Sequence, residues 1–182
     1  MKLIPIIIFI CFSLNLYGKT GSVTGLEIPR FVSLKSNDVN IRVGPSVNYP
    51  IKLKYIFQNL PIEIIDEFDV WRKSRDYEGN IGWVHKSLIK GERYILTGNK
   101  INSNIDLFSI PNGKVKGIVK KKNILKLKSC TLNWCKVSKG STIGWVLKDD
   151  IWGIYKNEIY NIKFYQPLIN QYWKVLNSRI LN

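Results

Sequence analysis

Chemistry-bearing residues are scarce in this chain. Of its 182 residues one is histidine, three are cysteine and 13 are acidic, against 28 lysines and arginines. A histidine-dependent nucleophile relay would have to rest on His85, which sits in the strand-end run Val84-His85-Lys86-Ser87 without an acid–base partner set. A metal site fares no better, because Cys130 and Cys135 would need two further ligands and His85 lies in a distant part of the chain. There is no Gly-rich phosphate loop and no Walker pattern. Asp66, Glu67 and Asp69 cluster, but they flank a turn and are expected to be solvated. These absences argue against an enzyme and against any cofactor.

Long apolar runs are missing too. The one sizeable run, Leu3 to Phe12 after the basic start Met1-Lys2, falls short of the ~20 residues that cross a bilayer and contains Pro5. With Leu16-Tyr17-Gly18 at its end, residues 1–18 read as a secretion signal. Cys11 comes early and follows the bulky Ile8-Phe9-Ile10, which disfavours a lipid-attachment site. Removing the segment takes away only Lys2, so the net charge of +15 falls to +14. Such a surplus suits a polyanionic partner: nucleic acid, an anionic membrane face, or the carboxylates and phosphates of a cell envelope. Export disfavours nucleic acid. Lys52, Lys54, Lys114, Lys116, Lys126 and Lys128 alternate with apolar residues, however, and also read as the solvated face of strands.

What the chain does have is a repeated cassette. Trp71-Arg72-Lys73 leads through Glu78-Gly79-Asn80 to Gly82-Trp83-Val84, and Trp134-Cys135-Lys136 leads through Lys139-Gly140-Ser141 to Gly144-Trp145-Val146. The first tryptophans are 63 residues apart and the second 62. That period is too long for a solenoid and fits two tandem copies of a very small domain. Strand-like alternation fills Phe31 to Val146, as in Val39, Ile41 and Val43 or Ile51, Leu53 and Tyr55. Turn signals at Gly44-Pro45-Ser46, Glu78-Gly79-Asn80 and Pro111-Asn112-Gly113 separate the runs. Short strands with frequent turns predict small barrels or sandwiches.

In such a barrel the first tryptophan caps the core, the glycine before the second allows close backbone approach, and the following valine points inward. Residues 19–30 read as a flexible leader and Gly98-Asn99-Lys100 as a short linker. After Trp152 the pattern changes: Pro167 can start a helix, and Leu168, Ile169, Tyr172, Trp173, Leu176 and Ile180 give it one apolar side. In an oxidising compartment Cys130 and Cys135, flanking a hairpin, are expected to form a disulfide.

Asp38-Val39-Asn40-Ile41-Arg42-Val43-Gly44-Pro45-Ser46, Tyr49-Pro50, Trp71-Arg72-Lys73 and Gly82-Trp83-Val84-His85-Lys86-Ser87-Leu88-Ile89 together resemble the bacterial SH3-like domain. The span from Phe31 to Tyr155 looks like the two-copy arrangement of exported proteobacterial proteins of that family. The resemblance implies an all-β chain of two tandem SH3-like β-barrels, 31–97 and 101–155, followed by a C-terminal extension at 156–182 with the amphipathic helix. It also implies that the long first loop and the loop before Trp71 border a shallow groove, a surface that in some relatives attaches to cell-wall peptide. The second copy departs from the pattern, since aligning Asn40 with Asp106 puts Phe108 at the place of Arg42 and Ile110 at that of Gly44. It is expected to be mainly structural.

The expected ligand contacts are Arg42, Ser46, Tyr49, Trp71 and Arg72. The expected partner is peptidoglycan or an envelope protein, with peripheral contact to an anionic membrane a further option, and the expected location is the periplasm or the outside of the cell. Two other readings use the same residues. One is a protein-interaction scaffold in which the helix seeks a partner; the other is a single-stranded nucleic-acid binder built on Arg42, Arg72, Lys73, Arg75 and Lys86 beside Tyr49, Tyr77 and Trp83.

Overall fold

The computed structural model describes residues 19–98 and 103–162. The expected signal segment at 1–18 and the expected helix from Pro167 onward lie outside the described residues. Within them the chain is built from two antiparallel sheets of seven strands each. The first contains β1 (Arg30–Leu34), β2 (Val39–Arg42), β3 (Ile51–Tyr55), β4 (Pro61–Phe68), β5 (Trp71–Arg75), β6 (Ile81–His85) and β7 (Ile89–Lys90). The second contains β8 (Tyr94–Thr97), β9 (Ile105–Phe108), β10 (Val115–Val119), β11 (Ile124–Cys130), β12 (Trp134–Lys139), β13 (Thr142–Leu147) and β14 (Ile151–Trp152). Strand order runs β3-β2-β6-β5-β4-β1-β7 in one and β10-β9-β13-β12-β11-β8-β14 in the other, so the topology is duplicated strand for strand.

The cassette explains why each sheet can coil tightly. A Cβ on Gly82 would lie 2.3 Å from Ile41 Cγ2 and 2.9 Å from the Arg42 carbonyl oxygen, and one on Gly144 would lie 2.5 Å from Leu107 Cγ. Glycine at these places lets β6 cross β2, and β13 cross β9, at close range. Two positions on, Val84 and Val146 are fully buried in the two cores. The drop in period from 63 to 62 also has a local cause. Five residues, Asp76–Asn80, connect the Arg75↔Ile81 pair, whereas four, Lys139–Thr142, connect Ser138↔Ile143.

Three sequence expectations need correction. Tyr94–Thr97, assigned above to the first domain, pairs with β11 and β14 and opens the second sheet. The junction is therefore residues 91–93, and Gly98 falls inside the second unit. The leader is held rather than flexible: Thr20 bridges Glu27, Gly21 N–H donates to Leu26 O and Ile28 N–H to Lys19 O. Glu67 is not solvated, because its carboxylate is enclosed by that leader. It accepts from the amides of Val23 (3.1 Å) and Thr24 (2.9 Å), from the Thr24 hydroxyl (2.8 Å) and from Arg30 (2.6 Å).

The two units share packing. Leu96 of β8 is buried in the first core, and Ile124 and Trp152 lie against that core. Phe31 meets Trp152 edge-on at 5.0 Å and Tyr155 at 4.7 Å, with the Arg93 guanidinium 5.6 Å from its ring. Tyr155 O–H donates to Glu63 at 2.9 Å. Cys130 and Cys135 face each other across β11 and β12 and form the expected disulfide.

Candidate functional site

Loop geometry in the first unit follows from Gly44. A Cβ there would lie 2.6 Å from the Tyr49 ring, so glycine lets the ring fold back onto the loop's own backbone. Ser46 N–H donates to Gly44 O, Tyr49 N–H to Ser46 O and Asn48 N–H to Ser46 Oγ, which makes Ser46 the pivot of the turn. Arg42 braces the loop from the strand, with Nη1 donating to Tyr49 O at 2.7 Å. Tyr49 is 46% exposed and Val43 and Val47 beside it are open to solvent, so the preformed loop presents an apolar rim around a cation.

Register extends this surface across the sheet. Arg42 pairs with Trp83, Trp83 with Lys73 and Lys73 with Asp66, placing an indole between two cations on a single row. The Lys73 ammonium stands 6.0 Å from the Trp83 ring centre. Two register positions along, Trp71 pairs with His85 and meets its ring edge-on at 5.4 Å. His85 Nδ1 in turn lies 2.7 Å from Ser87 Oγ and accepts from Ser87 N–H, the capping of a short 3₁₀ turn rather than the activation of a nucleophile.

The five expected contacts therefore separate. Arg42, Ser46 and Tyr49 form one continuous loop surface. Trp71, 8% exposed, caps the core and borders that surface through its neighbours. Arg72 faces the other way, 4% exposed, with Nη1 donating to Asp69 O and Trp71 O at 2.8 Å and Nε 3.5 Å from Glu67. It fastens the β4–β5 turn and drops out of the ligand set. A polar residue at a barrel end can turn inward when a carboxylate is buried beside it, which residue type alone does not reveal. Trp83 and Lys73 belong to the surface in its place. Their cross-strand pairing with Arg42 was the missing information.

The second unit shows what happens when the row loses its cation. Phe108 pairs with Trp145 as Arg42 pairs with Trp83, which confirms the alignment. Its ring packs edge-on against Trp134 at 5.0 Å, and both Trp134 and Trp145 are buried. Lys136 keeps its place 6.0 Å from the Trp145 ring. Trp71 and Trp134 are thus buried alike, while Trp83, half-buried in the first unit, has a fully covered counterpart in Trp145.

Comparison with known proteins agrees with this duplicated topology. The family described as "Bacterial SH3 domain" matches residues 35–91 and 110–153. No curated protein matches the chain. Among solved structures, "Structure of NlpC2 from Trichomonas vaginalis" is 13% identical, with 71% of this chain and 50% of that chain covered at a TM-score of 0.32. This chain thus spans half of that protein's length, and the likeness is too loose to carry an argument.

Proposed function

Because the chain belongs to the bacterial SH3 domain family, we propose that it is a non-enzymatic binding module, exported by its N-terminal segment, whose first unit attaches it to the bacterial cell envelope. The ligand class is the peptide part of peptidoglycan, or a protein that works on it. One observation carries the reading: Arg42, Tyr49 and Trp83 form a preformed cationic and aromatic surface in the first unit, whereas in the second Phe108 stands in the place of Arg42 and Trp145 is buried. Guanidinium recognises carboxylates by paired, charge-assisted hydrogen bonds, and aromatic faces take up peptide and sugar. Stem peptides offer both.

Purified sacculi test the proposal by co-sedimentation. Retention of the wild type, lost in Arg42→Ala and in Tyr49→Ala but kept in Phe108→Ala, is the expected result. No retention at any salt concentration removes it. Cell fractionation with mass analysis of the mature N-terminus tests export separately, the expected outcome being a start after Gly18 in the periplasmic or secreted fraction.

A further inference from the structure

Each unit has a cavity at the same topological place, where the β3 or β10 strand end meets the β5–β6 or β12–β13 hairpin, and the two differ in charge. In the first unit the site holds both signs, Asp76 and Glu78 beside Lys54 and Lys122. Asp76 accepts from Tyr55 O–H (2.6 Å), from Asn80 Nδ2 (2.9 Å) and from the amides of Glu78 and Asn80, while Leu96, Lys122 and Ile124 of the second unit wall it in. Register makes Lys139 the counterpart of Asp76 and Val119 that of Tyr55. The second cavity, of about 380 Å³, is accordingly basic. Lys116, Lys120 and Lys139 are exposed around it, and Ser138, Thr142 and Asn123 add hydroxyl and amide groups above an apolar floor of Leu107, Leu125 and Val137.

One carboxylate lies close by, since Asp106 of β9 pairs with Ile118, between Lys116 and Lys120; beyond it the sequence adds only cations. From Leu107 to Lys148 there are ten lysines and no acidic residue. Lys122 and Lys126 are paired with Glu78 and Glu92, and Lys148 is buried against backbone carbonyls, but the three lysines of the cavity have no carboxylate among their described contacts. Lys116 donates to Ile143 O, and Lys139 is hydrogen-bonded to Asn123 across the mouth. These are neutral acceptors, which an anion can replace.

We infer that this cavity of the second unit is a binding site for a phosphate-bearing saccharide. The lining supplies point-charge ammonium groups and no guanidinium fork, which favours phosphate over the planar carboxylate. It contains no tryptophan, tyrosine or phenylalanine, so the base-stacking platform of a single-strand binder is missing. Its volume lies at the small end of ligand pockets and suits one sugar phosphate with its neighbour. The site stands independently of the first-unit loop and does not need the sacculus reading to hold.

The experiment measures binding of the whole mature protein to dextran phosphate at 50 and 150 mM NaCl, with neutral dextran, phosphatidylglycerol vesicles and poly(dT) as separate arms. Dextran phosphate is expected to bind and neutral dextran not. Lys116→Gln/Lys120→Gln/Lys139→Gln is expected to weaken binding by about tenfold or more, since three exposed charge contacts to phosphate are lost together. Arg42→Ala is expected to leave it unchanged, and amide shifts in the wild type are expected at 116–123 and 138–144. The inference is overturned if the triple variant binds as well as the wild type, if dextran phosphate fails to bind at 50 mM NaCl, or if vesicles or poly(dT) bind tighter through the same lysines. Because all three side chains are exposed, an unchanged thermal midpoint is expected and separates lost binding from lost fold.

Discussion

Neutralising Glu67 by Glu67→Gln tests the idea that one buried carboxylate ties the leader to the first sheet. Burial alone would push its pKa up, but hydrogen bonds from Arg30, the Thr24 hydroxyl and the Thr24 and Val23 amides outweigh that cost and hold it at about 2, against an ordinary 4.5. The group's folded pKa is depressed, so its contribution is present above the unfolded value and disappears as pH falls toward 2. A shift of this size corresponds to about 3 kcal/mol, in line with the cost of breaking a buried pair. Glutamine keeps the shape but must turn an N–H₂ toward groups that are themselves donors. Urea unfolding should therefore show Glu67→Gln to be less stable by about 3 kcal/mol at pH 7, with the gap closing between pH 5 and pH 2 as the wild-type carboxylate protonates. Hydrogen exchange at Val23 and Thr24 should accelerate in the variant. A gap under about 1 kcal/mol at pH 7, or one that stays constant down to pH 2.5, would refute the reasoning.

Three further outcomes follow from packing. Gly82→Ala should cost about 2–3 kcal/mol and Gly144→Ala about 1–2 by urea unfolding, because the first clash includes the Arg42 carbonyl of the backbone while the second meets only the Leu107 side chain. Reducing the Cys130–Cys135 bond with a thiol should lower stability by about 2 kcal/mol, the entropic value for so short a loop; an unchanged midpoint would show that the hairpin needs no brace. Phe31→Ala removes a ring shared by Trp152, Tyr155 and Arg93, so calorimetry should show a loss of about 3–4 kcal/mol and the single transition splitting into two as the units uncouple.

Much of the fold could be read before any coordinates, since it depends on short-range pattern. The paired tryptophans located two units, alternation gave strands, and Gly-Trp-Val placed a close approach and an inward valine correctly in both. The substitution of Phe108 for Arg42 already indicated that the second aromatic row would differ, and Trp145 is buried where Trp83 is half-buried. Arg42, Ser46 and Tyr49 came together because one eight-residue loop, 43–50, follows directly on Arg42 and holds the other two. Arg72 turned out buried because the carboxylate of Glu67 lies at that end of the barrel, a neighbour distant enough in its setting that residue type did not reveal it.

Sequence by itself thus determined the class, the duplication, the turns and the disulfide pair, all of which rest on contacts between residues near in the chain or in equivalent positions. Tertiary structure alone decided that β8 joins the second sheet, that Glu67 is buried under the leader, and that Leu96, Ile124 and Trp152 pack against the first core. It also set the different charge of the two equivalent cavities, mixed around Asp76 and basic around Lys139. The physical reason is common to all four. Charge and hydropathy give each residue a preference for water or for the interior, but which distant segment meets that preference is settled only when the chain closes on itself.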